Sequence, residues 1–202
     1  MTPIRLLVVC TGNLCRSPIV EHALRRLLPD DGSVVVRSAG TRIASGREAP
    51  GQTLRAGARL GLDLHGHRTT SLTAADVASA DLVLGAAREH RRAVVSLEPR
   101  ALRRTFTLRE LGRVVASGAT HPLVEVPAAD PADRVAAWVA AMSALRGSTT
   151  RPARPEDDDV VDPWGQADDV FDQALAQLTP SVEVVAGALG TLLAAPRDGG
   201  VS

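Results

Sequence analysis

The sequence predicts an α/β fold, a three-layer sandwich with a central four-stranded parallel sheet and helices on both faces. Three observations carry this. Short apolar runs alternate four times with segments of helical periodicity, the pattern of successive strand-crossover-strand units. The first run, Ile4 to Val9, is almost wholly apolar, as in a strand covered on both faces. At 202 residues, with 45% apolar and 23% charged residues, the chain has the size and composition of one globular domain spanning 1–202.

Taken in order, the strand Ile4 to Val9 leads through a short loop to a helix over Ser17 to Leu28. Ser17 suits its cap and Pro18 its first turn, and Ile19, Ala23, Leu24, Leu27 and Leu28 form one apolar stripe. Pro29-Asp30-Asp31-Gly32 stops it. Val34-Val35-Val36 makes the second strand, running into the small-residue turn Ser38-Ala39-Gly40-Thr41. In open parallel sheets ligands bind at that carboxyl edge. Residues 42–51 read as loop, and Thr53 to Leu60 as a short helix ended by Gly61. The third strand is Asp81 to Gly85, followed by a helix from Ala87 to Val95; a brief strand at Thr105 to Thr107 and a helix over Leu108 to Ala116 complete the set.

The last third differs. Ser117 to Pro131 reads as loop and Asp130 to Leu145 as helix. The stretch 147–159, rich in Pro, Arg and acid, is expected to be a mobile surface loop. Phe171, Leu175, Leu178, Val182, Val185, Leu189 and Leu192 recur at alternating steps of four and three, and the phase survives Pro180, so one kinked helix is predicted, with a frayed tail after 195.

Composition excludes several classes. The 23 basic and 23 acidic residues cancel, so no global field favours nucleic acid or an anionic membrane surface. All the basic residues are arginine, and tyrosine is absent. No 18-residue apolar run suited to crossing a bilayer stands out, and Met1-Thr2-Pro3 enters the first strand without a signal-peptide pattern, so a cytoplasmic protein is expected. The two cysteines, Cys10 and Cys15, both lie in the first loop, which rules out a disulfide framework and directs attention to reactive thiols.

That loop, Cys10-Thr11-Gly12-Asn13-Leu14-Cys15-Arg16-Ser17-Pro18, joins a strand end to a helix start, where backbone N–H groups and the helix dipole converge on an anion. A helix N-terminus and a neighbouring cation favour the nucleophilic thiolate, and Cys10 has both in prospect. Arg16 supplies a planar fork for two phosphate oxygens, which a lysine would not reproduce. Gly12 is free to take positive φ, and Asn13 tolerates it. Ser17 is placed to donate to the sulfur. The Cys-x5-Arg spacing alone is a weak signal; its strand-loop-helix frame is the strong one.

These nine residues resemble the signature of the low-molecular-weight protein tyrosine phosphatases. The resemblance extends to Ser38-Ala39-Gly40-Thr41, Gly61-Leu62-Asp63 with Gly66-His67-Arg68, Ala80-Asp81-Leu82-Val83-Leu84 and Asp162-Pro163-Trp164-Gly165, and is weakest between Ser117 and Asp159. It implies Cys10 as nucleophile, Arg16 as phosphate clamp and Asp162 as general acid, with Ser17 assisting the thiolate. Asn13, Ser38 and His67 match positions that shape the loop in that family. Trp164 would wall an aromatic leaving group. Expected partners are a phosphorylated protein or a small aryl phosphate, without cofactor or metal. Two departures, no Trp in 42–48 and no Met-Asp pair at 85–88, imply a more open pocket.

Several residues allow competing readings. Asp130-Pro131 is a second candidate acid. Cys15 either packs beneath the loop or pairs reversibly with Cys10. His65 and His67 lack a third ligand. Asp157-Asp158-Asp159 reads as a solvated run, or as a patch repelling acidic peptides. Two other chemistries suit the same scaffold: a protein arginine phosphatase, against which Leu14 speaks because such relatives tend to carry Thr there, and an arsenate reductase, which without cysteines downstream of Cys15 would need an external thiol.

Overall fold

The computed structural model describes residues 2–117, 130–148 and 151–194. Four parallel strands, β1 (Ile4–Cys10), β2 (Val34–Gly40), β3 (Leu82–Gly85) and β4 (Thr105–Thr107), form one sheet in the order β2-β1-β3-β4. The helices are α1 (Arg16–Leu27), α2 (Gly51–Arg59), α3 (Ala74–Ser79), α4 (Arg88–Leu97), α5 (Leu108–Ala116), α6 (Pro131–Leu145) and α7 (Asp168–Ala194), with 3-10 turns at Pro99–Arg104 and Pro155–Asp158.

Because side chains alternate along a strand, each sheet face builds its own core. Leu6, Val8, Leu82, Leu84 and Phe106 pack with Leu24 of α1, Leu111 of α5 and Leu178 of α7. Leu7, Val9 and Val83 pack with Val77 of α3, Val94 of α4 and Ala101. This is the predicted three-layer sandwich. Full burial of each such side chain stabilises by about 1.5–3 kcal/mol relative to exposure.

Several boundaries shift. Strand β2 runs on through Ser38-Ala39-Gly40, because those residues pair with Val8, Val9 and Cys10 of β1 rather than forming a turn. Helix α1 starts at Arg16 with Cys15 at the cap position and no side-chain cap, so Ser17 does not cap it; its hydroxyl is engaged elsewhere. Helix α3 was not anticipated from hydrophobic periodicity; its signal is the capping box of Thr73 and Asp76. Helix α7 continues through Pro180 as one helix, burying the stripe from Phe171 to Leu192.

The sequence expectation of no membrane-length apolar segment is also revised: α7 is long and apolar enough to cross a membrane by length and composition. Here its stripe is buried in the core beside α1 and α5. Of the stretch 147–159, expected to be mobile, residues 149–150 lie outside the described residues, and Pro155–Asp158 form a 3-10 turn. Residues 118–129, expected as loop, and the tail from 195, expected to fray, lie outside the described residues.

Candidate active site

Strand β1 delivers Cys10 to the carboxyl edge of the sheet, and the chain folds back within five residues into α1. Both ends of the turn are therefore fixed by the core. Cys10 Sγ accepts from Asn13 N at 3.2 Å and lies 3.0 Å from Ser17 Oγ. The turn closes because Asn13 takes φ 49°, the one positive value among the described non-glycine residues.

Asn13 is held on every polar atom of its side chain. Its Oδ1 accepts from Thr70 N at 2.8 Å, and its Nδ2 donates to Ser17 Oγ at 2.9 Å and Ser38 Oγ at 2.7 Å. His67 Nε2 donates to its carbonyl at 2.8 Å. The chain of bonds has a direction. The Glu21 carboxylate accepts the hydrogen bond that Ser38 Oγ donates. Ser17 Oγ accepts from Asn13, which leaves the Ser17 hydroxyl proton for Cys10 Sγ. Glu21 is buried and also paired to Arg25 at 2.5 Å. The structure thus brings Asn13, Ser17, Ser38 and His67 together and adds Glu21 and Thr70, which sequence reasoning missed.

Gly40 explains the small residues at the end of β2. A Cβ there would lie 2.9 Å from Thr11 O and 3.1 Å from Asn13 Cβ, so a larger residue would push on the loop's own backbone.

Arg16 is only 4% exposed. Its Nη2 lies 2.6 Å from Asp162 Oδ2, its Nη1 donates to Val160 O at 3.1 Å, and its buried Nε has no partner among the described residues. An unpaired N–H on a buried permanent cation is costly unless a ligand completes it. Asp162 reaches Arg16 because its segment is tied from several sides. Val160 N bonds to Ala86 O beyond β3 at 2.8 Å, Val161 N to Gln177 Oε1 of α7 at 2.8 Å, and Arg109 of α5 to Asp159 O at 2.9 Å. Asp162 Oδ1 accepts from Trp164 N at 3.2 Å, an Asx turn. Asp130, the other Asp-Pro candidate, caps α6 instead.

A cavity of about 230 Å³ opens over Cys10 and Arg16, lined also by Thr11, Gly12, Leu14, Asp162 and Trp164. A larger one, about 690 Å³, lies around Arg5, Arg37 and His22 and contains neither Cys10 nor Arg16. The smaller cavity is the one with chemistry. Trp164 is half exposed at its rim, while Leu14 is buried in its wall.

Cys15 is buried and accepts from Thr53 Oγ1 at 3.3 Å. Burial pushes its thiol up to about 12, so it stays protonated. Both cysteines are free thiols. His90, also unforeseen, is buried with Nε2 2.9 Å from Thr11 Oγ1. Burial, then the charge of Arg16, lowers it to about 4, so it is neutral.

The acidic run is not the solvated patch expected. Asp157 pairs with Arg154 at 3.0 Å, Asp158 with Arg113 at 2.8 Å and Asp159 with Arg88 at 2.9 Å. Neutralised in this way, the run does not form a free negative patch that would repel acidic peptides.

Residues 5–133 match the family described as low molecular weight phosphotyrosine protein phosphatase. The low molecular weight protein-tyrosine-phosphatase Etp of Escherichia coli K12 is 39% identical over 101 residues, which is 50% of this chain and 66% of that protein. A protein-arginine-phosphatase of Bacillus subtilis is 34% identical over 106 residues, 52% of this chain and 70% of that protein. The tyrosine phosphatase Wzb from Escherichia coli K30, solved with sulphate, superposes with a TM-score of 0.64 at 25% identity, over 94% of this chain and all of that one (100%). The family match ends before Asp162, whose place beside Arg16 therefore rests on the geometry.

Proposed function

Given that the chain belongs to the low molecular weight phosphotyrosine protein phosphatase family, we propose that it hydrolyses phosphate monoesters on proteins, phosphotyrosine first, through a phosphocysteine on Cys10. The observation that carries this reading is that Cys10 and Arg16 line one cavity, with the buried Nε of Arg16 unpaired among the described residues. That Nε is a donor in want of an oxyanion, beside a nucleophile.

Arg16 binds two phosphate oxygens and the loop's amides take the others, which places phosphorus over Cys10 Sγ. The thiolate attacks phosphorus as the bond to the ester oxygen breaks, and Asp162 gives its proton to that oxygen. The resulting Asp162 carboxylate then takes a proton from water. That water's oxygen attacks phosphorus, the P–S bond breaks, and inorganic phosphate leaves with the thiolate restored. Ser17, with its proton directed at sulfur, stabilises the thiolate as leaving group in this second half. Two free thiols, one of them the nucleophile, suit a reducing compartment such as the cytoplasm.

Leu14 and Trp164 favour tyrosine as the carrier of the phosphate, since both offer apolar surface to an aryl ring. Arginine phosphate is the second reading, supported by the Bacillus subtilis relative. Arsenate reduction is third; Cys15, a buried protonated thiol, is a poor relay partner. One side-by-side assay of a phosphotyrosine peptide, a phosphoarginine peptide, and arsenate with and without an external thiol ranks the three. Turnover of the phosphotyrosine peptide that survives in Cys10→Ser would end the covalent mechanism.

A further inference from the structure

The mouth of the active cavity carries two positive charges beyond the Arg16–Asp162 pair. Arg42 and Arg47 line it, both exposed and both on the segment between β2 and α2. Their main chains are pinned: Arg42 N donates to Thr11 O at 2.9 Å, Arg47 N to Thr69 Oγ1 at 3.0 Å, and Arg47 O accepts from Thr69 N at 2.8 Å. Among the described residues neither guanidinium group makes a hydrogen bond or ion pair. The backbone thus fixes where each side chain starts, while the charged heads stand free at the rim.

Nearby carboxylates are already engaged. Asp162 is held by Arg16 at 2.6 Å, Glu48 by Arg68 at 2.9 Å and Asp159 by Arg88 at 2.9 Å. In a chain of zero net charge, two free cations at the mouth of the site form a local excess that an incoming ligand would meet before reaching Cys10.

We propose that Arg42 and Arg47 select acidic residues flanking the phosphorylated side chain, so that the preferred substrate is a phosphotyrosine within an acidic stretch of polypeptide. This rests on the phosphatase reading of Cys10. Exposed ion pairs are individually weak, and each flanking acid is worth roughly a 1.5- to 5-fold gain in kcat/KM. Two pairs acting with the field at the mouth give a spread of about 10-fold between acidic and basic flanks, expressed mostly in capture of the substrate. Screening over about 10 Å at 0.1 M salt makes the preference salt-sensitive.

The test uses three phosphotyrosine peptides of equal length with Asp/Glu, Ser/Gly or Arg flanks, together with p-nitrophenyl phosphate, at low and at high salt. The expected order of kcat/KM is acidic, neutral, basic, with the spread collapsing at high salt. The double variant Arg42→Glu, Arg47→Glu should reverse the order. Equal turnover of the three peptides, or an order that survives the charge reversal, overturns the proposal while p-nitrophenyl phosphate hydrolysis leaves the phosphatase reading standing. No hydrolysis of any of the four compounds overturns both.

Discussion

Asp162 Oδ2 sits 2.6 Å from Arg16 Nη2, so without a ligand the proposed acid occupies part of the proposed phosphate clamp. Phosphate binding must displace that carboxylate, which couples substrate arrival to release of the acid. Asp162→Asn is therefore expected to separate two properties. Turnover of esters with poor leaving groups should fall by about 10²–10⁴, less for good leaving groups, while inorganic phosphate should inhibit at equal or lower concentration. Steady-state kinetics over a series of aryl phosphates, with phosphate as inhibitor, reads both. Weaker phosphate inhibition in the variant would mean that Asp162 helps to bind the anion rather than competing with it.

Gly40 approaches the loop closely enough that a methyl group matters. In Gly40→Ala the new Cβ would lie 2.5 Å from Ile43 Cγ2 and 2.9 Å from Thr11 O. Ile43 can turn away, but a backbone carbonyl cannot without moving the loop. A stability loss of about 1–3 kcal/mol is expected, with a larger proportional loss in kcat/KM because Thr11 and Asn13 shift. Thermal unfolding beside phosphatase assays checks this, and an unchanged kcat/KM would show that the loop tolerates the displacement.

How far this could be read from sequence depends on where each partner lies. The strand-loop-helix frame of Cys10 and Arg16 is local, and so was legible. Ser38 and His67 came through the family resemblance, and both bond to Asn13. Glu21 and His90 carry no local sign: a lone acid or histidine in a helix looks like any solvated residue until tertiary packing brings Ser38 or Thr11 against it. The acidic run was misread for the same reason, since Asp158 and Asp159 find Arg113 and Arg88 at 45 and 71 residues' separation. The extent of β2 was missed because Ser38-Ala39-Gly40 have turn-like composition and become strand only by pairing with β1.

His90 makes stability depend on pH. Its value falls from 6.5 to about 4 on folding, chiefly through burial, so the unfolded chain binds the proton more readily. The associated stability is fully present above about pH 6.5 and is lost as pH falls towards about 4. The span corresponds to an upper bound on the order of 3 kcal/mol. Urea unfolding between pH 7 and pH 4 should show this decline in the wild-type chain and a shallower one in His90→Gln. Parallel slopes would place the acid sensitivity elsewhere.

The two thiols should differ sharply in reactivity although they are five residues apart. Cys15 is buried, hydrogen-bonded to Thr53 and raised to about 12, so almost none of it is thiolate near neutral pH. Cys10 is as buried as Cys15 and lines the same cavity, but its sulfur meets two donors, the Asn13 amide and the Ser17 hydroxyl. Iodoacetamide at neutral pH should therefore alkylate Cys10 alone, and inorganic phosphate, by filling the Arg16 fork above it, should slow the labelling. Peptide mapping by mass spectrometry distinguishes the two positions, and the same experiment on Cys10→Ser should yield almost no adduct. Comparable labelling of Cys15 would mean that its surroundings do not keep its thiol protonated in solution.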